Sequence, residues 1–387
     1  MKYKLSDLFE LQMGKTPSRD NPGYWSQPEF PWISIADLSS AGKYIYYTKE
    51  SLSKLAVEES GIKIIPAQTV IMSFKLSIGK VSITPVPMYS NEAIMAFIDK
   101  GIVKIKPEYL YYLLLHRDWD EGTNKAVMGK TLNKATLSDV TINIHPIEEQ
   151  ERIVAVLDKA SEIIDSCQRQ LRTLDTLIKA RFVEMFGDCR TNPYGWETKA
   201  LSDVAEVGSS KRVFVEELQE SGIPFYRGTE VGALAEGKTI QPELFITPEH
   251  YDELVEATGK PEPGDLLMPS ICPDGRIWVV DTEEPFYFKD GRVLWVHSID
   301  AAYDPIFLLY TLKDRIVTDY SSIASGTTFA ELKIFALKQC QVFDVPIEKQ
   351  MEFVAFIKQT DKSKVVVQEA LNKAQLLFDS LMQKYFG

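Results

Sequence analysis

Metal and redox chemistry have little to build on in this chain, whose 387 residues hold only four cysteines and four histidines. Cys167, Cys189, Cys272 and Cys340 are scattered without a C-x-x-C spacing, and His116, His145, His250 and His297 form no ligand cluster. Reduced thiols and no metal are expected. Long apolar runs are also missing. The densest, Tyr109 to Leu115, falls far short of the roughly 20 residues that span a bilayer, and the opening MKYKLSDLFE lacks an apolar signal core. A cytoplasmic protein without membrane attachment follows. No glycine-rich turn of the dinucleotide or AdoMet type is present. The N/D-P-P-Y/F tetrapeptide that would hold a flipped adenine is only approached, by NPGY (Asn21 to Tyr24), NPYG (Asn192 to Gly195) and DPIF (Asp304 to Phe307). Carboxylate pairs such as Glu58-Glu59 and Glu216-Glu217 read as solvated faces, and no Ser/His/Asp grouping has supporting context. The chain is expected to be no catalyst and to bind no cofactor.

Positive charge is in short supply too. The net charge is −12, an unpromising value for a nucleic-acid binder, since Lys and Arg against phosphate supply most non-specific affinity. The deficit is local. Residues 188–345 carry 14 Lys and Arg against 27 Asp and Glu, whereas residues 1–145 carry 17 against 15. Any DNA role therefore needs a segregated basic face on the acidic segment, or a partner that supplies phosphate contacts.

What the chain does contain is itself, twice. Residues 146–187 and 346–387 align without a gap at a shift of 200, matching at Pro146/Pro346, Ile147/Ile347, Gln150/Gln350, Val154/Val354, Leu171/Leu371, Leu177/Leu377 and Phe186-Gly187/Phe386-Gly387. Apolar residues in the first copy recur at alternating steps of four and three: Ile153, Leu157, Ala160, Ile164, Cys167, Leu171, Leu174 and Ile178. The second copy keeps the stripe at Phe353, Ile357, Val367, Leu371, Ala374 and Phe378, interrupted by Thr360 and Lys364. This is the seam of a coiled coil between two long helices. The prolines suit the first turns, acidic Glu148, Glu149 and Glu348 the positive helix ends, and Gly187 and Gly387 the C-terminal caps. Each rod should be roughly 58 Å long. Residues 188–345 leave the end of one helix and enter the start of the other, so antiparallel packing brings those two points together, as the termini of a compact domain usually are. Two domains would then be held apart by a rigid ruler of about 17 base pairs.

The segments between the helices repeat more faintly. Leu5-Ser6-Asp7 returns at Leu201-Ser202-Asp203, FPWISIADL (30–38) as IPFYRGTEV (223–231), and IPAQTVIMS (65–73) as EPGDLLMPS (262–270). Ile78-Gly79-Lys80-Val81 corresponds to Asp274-Gly275-Arg276-Ile277, YLYYLLLHRD (109–118) to PIFLLYTLKD (305–314), and MGKTLNKATL (128–137) to SGTTFAELKI (325–334). Each segment reads as a mixed α/β unit. The domain order is therefore 1–145, helix 146–187, 188–345, helix 346–387, with fold class mixed α+β around an antiparallel coiled coil.

MGKTPSR (13–19), the repeated G-x-T (Gly129, Thr131; Gly326, Thr328) and the helix starts PIEEQERIV and PIEKQMEFV together resemble the specificity subunit of type I restriction-modification systems. The resemblance covers essentially the whole chain. It departs in the second domain, where MGKTPSR answers only to VGSSKRV (207–213). It implies two target recognition domains, each reading one half of a bipartite site on double-stranded DNA. It also implies spacer helices on which two modification (methyltransferase) subunits dock, those partners carrying AdoMet, with restriction (nuclease and translocase) subunits joining for cleavage. Arg and Lys reach guanine edges and phosphates, and Ser and Thr mostly hold phosphates. Candidate DNA contacts in the first domain are Lys15, Thr16, Ser18, Arg19, Lys75, Lys80, Lys130 and Lys134, and in the second Lys211, Arg212, Arg227, Arg276 and Arg292. Tyr24, Trp25, Tyr226 and Trp278 read as core or rim aromatics rather than base-stacking residues. The rival reading is a coiled-coil scaffold whose domains bind peptides, which the missing positive charge would favour.

Overall fold

The computed structural model describes the chain except residues 27, 76, 120–123, 127–128 and 327–329; at 124–126 and 129–131 it describes the backbone alone. The chain divides into two compact units, Met1–Arg169 with Gln368–Gly387, and Gln170–Val367.

The first unit is built on a four-stranded antiparallel sheet in the order Phe9–Met13, Ile94–Asp99, Thr69–Ser73, Val81–Thr84. One of its two inner strands, Thr69–Ser73, is buried along its whole length because both faces are covered. Successive side chains of a strand point to opposite faces. Accordingly Val70 and Met72 join Met95, Phe97 and the helix Pro107–His116, while Ile71 joins Ile33, Leu38, Ile45 and Met88 on the other side. A second sheet, Glu50–Leu52, Phe30–Ile33 and Tyr89–Ser90, contains one parallel pair. Lys2–Lys4 pairs with Thr141–Asn143, so the start of the chain is stitched to the segment leading into the first long helix.

The second unit repeats this topology strand for strand. Its four-stranded sheet runs Glu206–Gly208, Val293–His297, Leu266–Pro269, Trp278–Val279, and its three-stranded sheet Phe245–Ile246, Ile223–Tyr226, Tyr287–Phe288 again holds one parallel pair. Leu266 and Met268 face one core and Leu267 the other. The faint sequence repeat is thus a repeat of topology. Its register differs from the sequence alignment in three places, the smallest being a one-residue shift that sets Val70, Met72 and Phe74 against Leu266, Met268 and Ser270. Lys106 N–H and Asp304 N–H donate to the equivalent Gln150 and Gln350 side chains, which aligns Tyr109 with Phe307 and not with Pro305. Leu132 N–H donates to Phe74 carbonyl and Leu332 N–H to Ser270 carbonyl, which aligns Leu132 with Leu332, three positions beyond the sequence match. The Tyr109 slip falls in a segment whose own apolar residues are close-spaced enough to match themselves after a small shift.

The long helices are Ile147–Phe186 and Ile347–Phe386. In the first unit, Ile153, Val154 and Leu157 share a core with Met382, against which Phe378, Leu381, Tyr385 and Phe386 pack. In the second unit, Ile178, Phe182 and Phe186 share a core with Phe353 and Ile357, and the Phe182 and Phe353 rings meet at 5.5 Å. In each unit the early turns of one helix meet the late turns of the other, so the pair is antiparallel. Ile153, Leu157, Ile178, Phe353 and Ile357 are buried, whereas Ile164, Leu171, Leu174, Val367, Leu371 and Phe378 keep part of their surface in water, as a two-helix seam covers each residue from one side only. Lys364, the polar interruption, has an outlet: its ammonium lies 2.7 Å from the Asp175 carboxylate across the pair.

Each helix start is fixed by the one polar residue that the repeat keeps inside. Gln150 is fully buried; its Oε1 accepts from Lys106 N–H at 3.0 Å, and its Nε2 donates to the carbonyls of Lys104 at 3.0 Å and His145 at 2.9 Å. Gln350 does the same with Asp304 N–H and the carbonyls of Ala302 and Val345. A primary amide supplies both donors and an acceptor, so one side chain satisfies three backbone groups where domain and helix join. The first helix closes at Gly187, whose φ of +85° is left-handed and whose N–H returns to Val183 carbonyl at 2.8 Å.

Candidate nucleic-acid interface

The loop 13–20 leaves the sheet where Phe9–Met13 ends. Gly14 is required there, since a Cβ would lie 2.2 Å from Asn91 carbonyl and 2.3 Å from Ser90 carbonyl. Lys15 N–H then donates to Ser90 carbonyl at 2.8 Å, and the Lys15 ammonium donates to Ser60 carbonyl at 2.5 Å. The Thr16 hydroxyl donates to the Glu92 carboxylate and holds it below the usual carboxylate range. Two indoles tie the loop down from beneath, Trp32 donating to Lys15 carbonyl and Trp25 to Ser18 carbonyl, each at 3.1 Å. Arg19 lies over Trp25 with its guanidinium carbon 3.8 Å from the ring centre, and its two Nη atoms fork onto the Glu50 carboxylate. That hydrogen-bonded pair raises the arginine and lowers the glutamate from their ordinary values.

Lys15, Thr16, Ser18 and Arg19 thus occupy one anchored loop. Lys75 stands over the Phe74 ring at 5.2 Å, and Lys80 is exposed on the turn that Gly79 forms with a φ of +83°. Lys134 is exposed at the start of the helix Lys134–Asp139, two residues beyond the Leu132–Phe74 hydrogen bond that brings that segment to Lys75. The Lys130 side chain and Thr328 lie outside the described residues.

In the second unit the matching loop is pinned by Ser209 to Val293 carbonyl, Ser210 to Phe288 carbonyl, and Lys211 N–H to the Tyr287 hydroxyl. Its candidate arginines Arg212, Arg227, Arg276 and Arg292 are all committed to carboxylates. Arg212 reaches Asp290 at 3.4 Å, Arg227 binds Glu230 and Glu243, Arg276 lies 2.9 Å from Asp274 and 3.8 Å from Glu236, and Arg292 binds Glu331, which Lys333 also reaches at 2.7 Å. Burial would raise Glu230, but hydrogen bonds from Arg227, Thr229 and the backbone outweigh it and bring its pKa to about 2. Lys211 is exposed, with no carboxylate on its ammonium among the described residues. Arg227 and Arg276 flank the same helix, Gly228–Ala235, whereas Arg292 sits with the segment around Glu331. Of the aromatic residues, Trp278 is buried, Tyr226 stacks on Phe286 at 4.8 Å, and Tyr24 and Trp25 pack at the edge of the Trp32 core.

The carboxylates that hold these arginines escaped sequence reasoning, because partners such as Glu50 and Glu331 are 31 and 39 residues away along the chain. Tyr46 and Tyr47 escaped it too. They are 66% and 89% exposed in a run where Tyr44 turns inward to Glu108, and only the alternation of that run hinted at their position. Among the described residues no cluster of His, Cys, Asp or Glu is arranged to hold a metal, and no helix is long and apolar enough to cross a membrane.

Two mixed α+β units of one topology, each holding turns of both long helices, set the architecture against which known proteins are compared. Residues 1–175 match the family model of the type I restriction modification DNA specificity domain. The chain is 26% identical to the type I restriction enzyme MjaIX specificity subunit of Methanocaldococcus jannaschii, over 98% of its own length and 91% of that protein's. It is 23% identical to a putative type I restriction enzyme specificity subunit of Haemophilus influenzae, covering 74% of this chain and 71% of the other. In fold it is similar to the crystal structure of the M. genitalium S subunit, with a TM-score of 0.56 at 14% identity, covering 100% of this chain and 96% of that one. A chain from a study of type I restriction-modification complex assembly gives a TM-score of 0.58 at 17% identity over 100% and 97%. The chain is thus similar along nearly its whole length to type I restriction enzyme specificity subunits, with the DNA specificity domain matched in residues 1–175.

Proposed function

We propose that residues 1–145 and 188–345 are two reading domains, each recognising one half of a bipartite DNA site, and that the helices 146–187 and 346–387 set the unread gap and dock two methyltransferase subunits. One observation carries this reading: the same strand order is built twice while the polar groups presented by equivalent loops differ, as suits one scaffold addressed to two sequences. The chain supplies recognition and no catalytic step. AdoMet and the methyl transfer belong to the docked subunits, which would extrude the target base, and a nuclease and translocase subunit would join for cleavage. The assembly works in the cytoplasm. The acidity of residues 188–345 supports a division of labour in which partners contribute phosphate contacts around the second domain.

The test is methylation-sensitive sequencing of an unmethylated host expressing the chain with its methyltransferase. The expected result is a split motif with a constant gap. A continuous motif, or methylation without sequence preference, would refute the proposal.

A further inference from the structure

We infer that Arg19 reads a single guanine of the first half-site through the edge formed by Nε and Nη2, with Glu50 and Trp25 as its positioning residues; this rests on the DNA-reading function proposed above. The guanidinium has five N–H groups in a rigid plane. Glu50 takes one from each Nη atom, on the end-on side of the fork. The side-on edge, Nε with the outer hydrogen of Nη2, has no partner among the described residues, and about half of the side chain is exposed. Two parallel donors on a fixed plane match O6 and N7 of guanine, whereas the major-groove edges of the other bases offer no such pair of adjacent acceptors.

The plane and direction of that edge are set before any ligand arrives. Trp25 supports the guanidinium face at 3.8 Å and Trp32 flanks it at 5.3 Å, the two indoles meeting edge to face at 5.1 Å. Both indole N–H groups are spent on carbonyls of the loop that carries Arg19, so loop and platform move as one piece. Glu50 is itself fixed in a strand, opposite Trp32.

The same carboxylate decides between a base and a phosphate. An ionised Glu50 fully engaged with Arg19 neutralises its charge and would repel a phosphate brought to the remaining edge. A guanine edge is neutral and meets no such repulsion. Arg19 is therefore built for reading sequence and poorly built for backbone affinity.

The test compares the full-length chain with Arg19→Ala, Arg19→Lys and Glu50→Gln, each assembled with the methyltransferase subunit. Two readouts are used, methylation mapping in cells and binding to duplexes that vary one base at a time. In the unaltered complex one position of the first half-site should prefer guanine by about 5- to 150-fold, the worth of one bidentate contact. Arg19→Ala and Arg19→Lys should bring that preference close to unity, Glu50→Gln should lower it several-fold, and every other position should keep its preference. A phosphate role predicts a uniform loss with Arg19→Ala and a uniform gain with Glu50→Gln. Either of those, or a motif unchanged by Arg19→Ala, overturns the inference. Should Arg19→Ala lower the melting temperature, Arg19→Lys and Glu50→Gln carry the comparison. An unaltered complex that shows no sequence preference overturns instead the DNA-reading function beneath it.

Discussion

Replacing Gln150 tests how domain and helix are joined in the first unit. The side chain is fully buried and makes three hydrogen bonds to backbone, with Lys106 N–H, Lys104 carbonyl and His145 carbonyl. Gln150→Leu keeps nearly the same volume and opens no large cavity, so its cost is polar. Lys106 caps the helix Pro107–His116 and its N–H faces Gln150, so that donor loses its partner at about 1–3 kcal/mol. The two carbonyls each keep a second lone pair and add less, giving roughly 2–4 kcal/mol in all. Gln150→Glu supplies the acceptor but turns a negative oxygen toward two carbonyls. Its folded-state pKa should rise, so stability should be greatest below the ordinary glutamate pKa and decline as pH increases through the raised value. Two units need not unfold together, so a single global transition is a poor reporter. Hydrogen exchange at the Lys106 amide reads the event locally, and about 3 kcal/mol of lost protection means exchange faster by about 150-fold. Gln350→Leu should expose Asp304 N–H and leave Lys106 unaffected. If Gln150→Leu altered Lys106 exchange by less than about threefold, the claim that this amide organises the junction would be wrong.

Two other perturbations have clear signs. Lys364→Leu continues the apolar seam at a position where the ammonium reaches Asp175 and Asp361, whose side chains are 68% and 54% exposed, so the salt bridges lost are worth little and the area gained should stabilise the second unit by about 1 kcal/mol; a lower melting temperature would contradict this. Glu230, held at a pKa of about 2, contributes stability that is present above its unfolded value near 4.5 and is lost as pH falls from there toward 2; Glu230→Gln should flatten that limb of an acid titration followed by circular dichroism, and an unchanged limb would count against the Arg227 brace.

The long helices were legible because two signals coincided, a gap-free repeat at a shift of 200 and a sustained four-three period, and their antiparallel sense followed from connectivity alone. The sheets were legible as mixed α/β, but their register was not. YLYYLLLHRD and PIFLLYTLKD match almost equally well when slid by two residues, and only the hydrogen bonds of Gln150 and Gln350 show which alignment the backbone uses. Those glutamines were visible as identities without a role, since a buried amide looks like any surface amide in a string of letters. The loop candidates were legible as cations, whereas carboxylate partners such as Glu50 and Glu331 were not, because those pairs close through a fold that brings distant segments together.

The ion pairs sharpen the meaning of the uneven charge. A cation that releases condensed counterions from DNA contributes about 0.9 to the slope of log affinity against log salt. An arginine already neutralised by its own carboxylate releases fewer, because binding must first weaken a pair that needs no counterion. In the first domain Lys75, Lys80 and Lys134 have no carboxylate within salt-bridge distance among the described residues, which gives a slope of about −3 if all three meet phosphate. In the second, Arg212, Arg227, Arg276 and Arg292 are all paired, leaving Lys211 and a slope of about −1. Shuffling one half-site at a time in a duplex bound by the full complex separates the two contributions. Shuffling the first half-site should flatten the salt dependence more than shuffling the second. Equal slopes would mean that the second domain's pairs open on DNA, and that its acidity hides a basic face instead of replacing one.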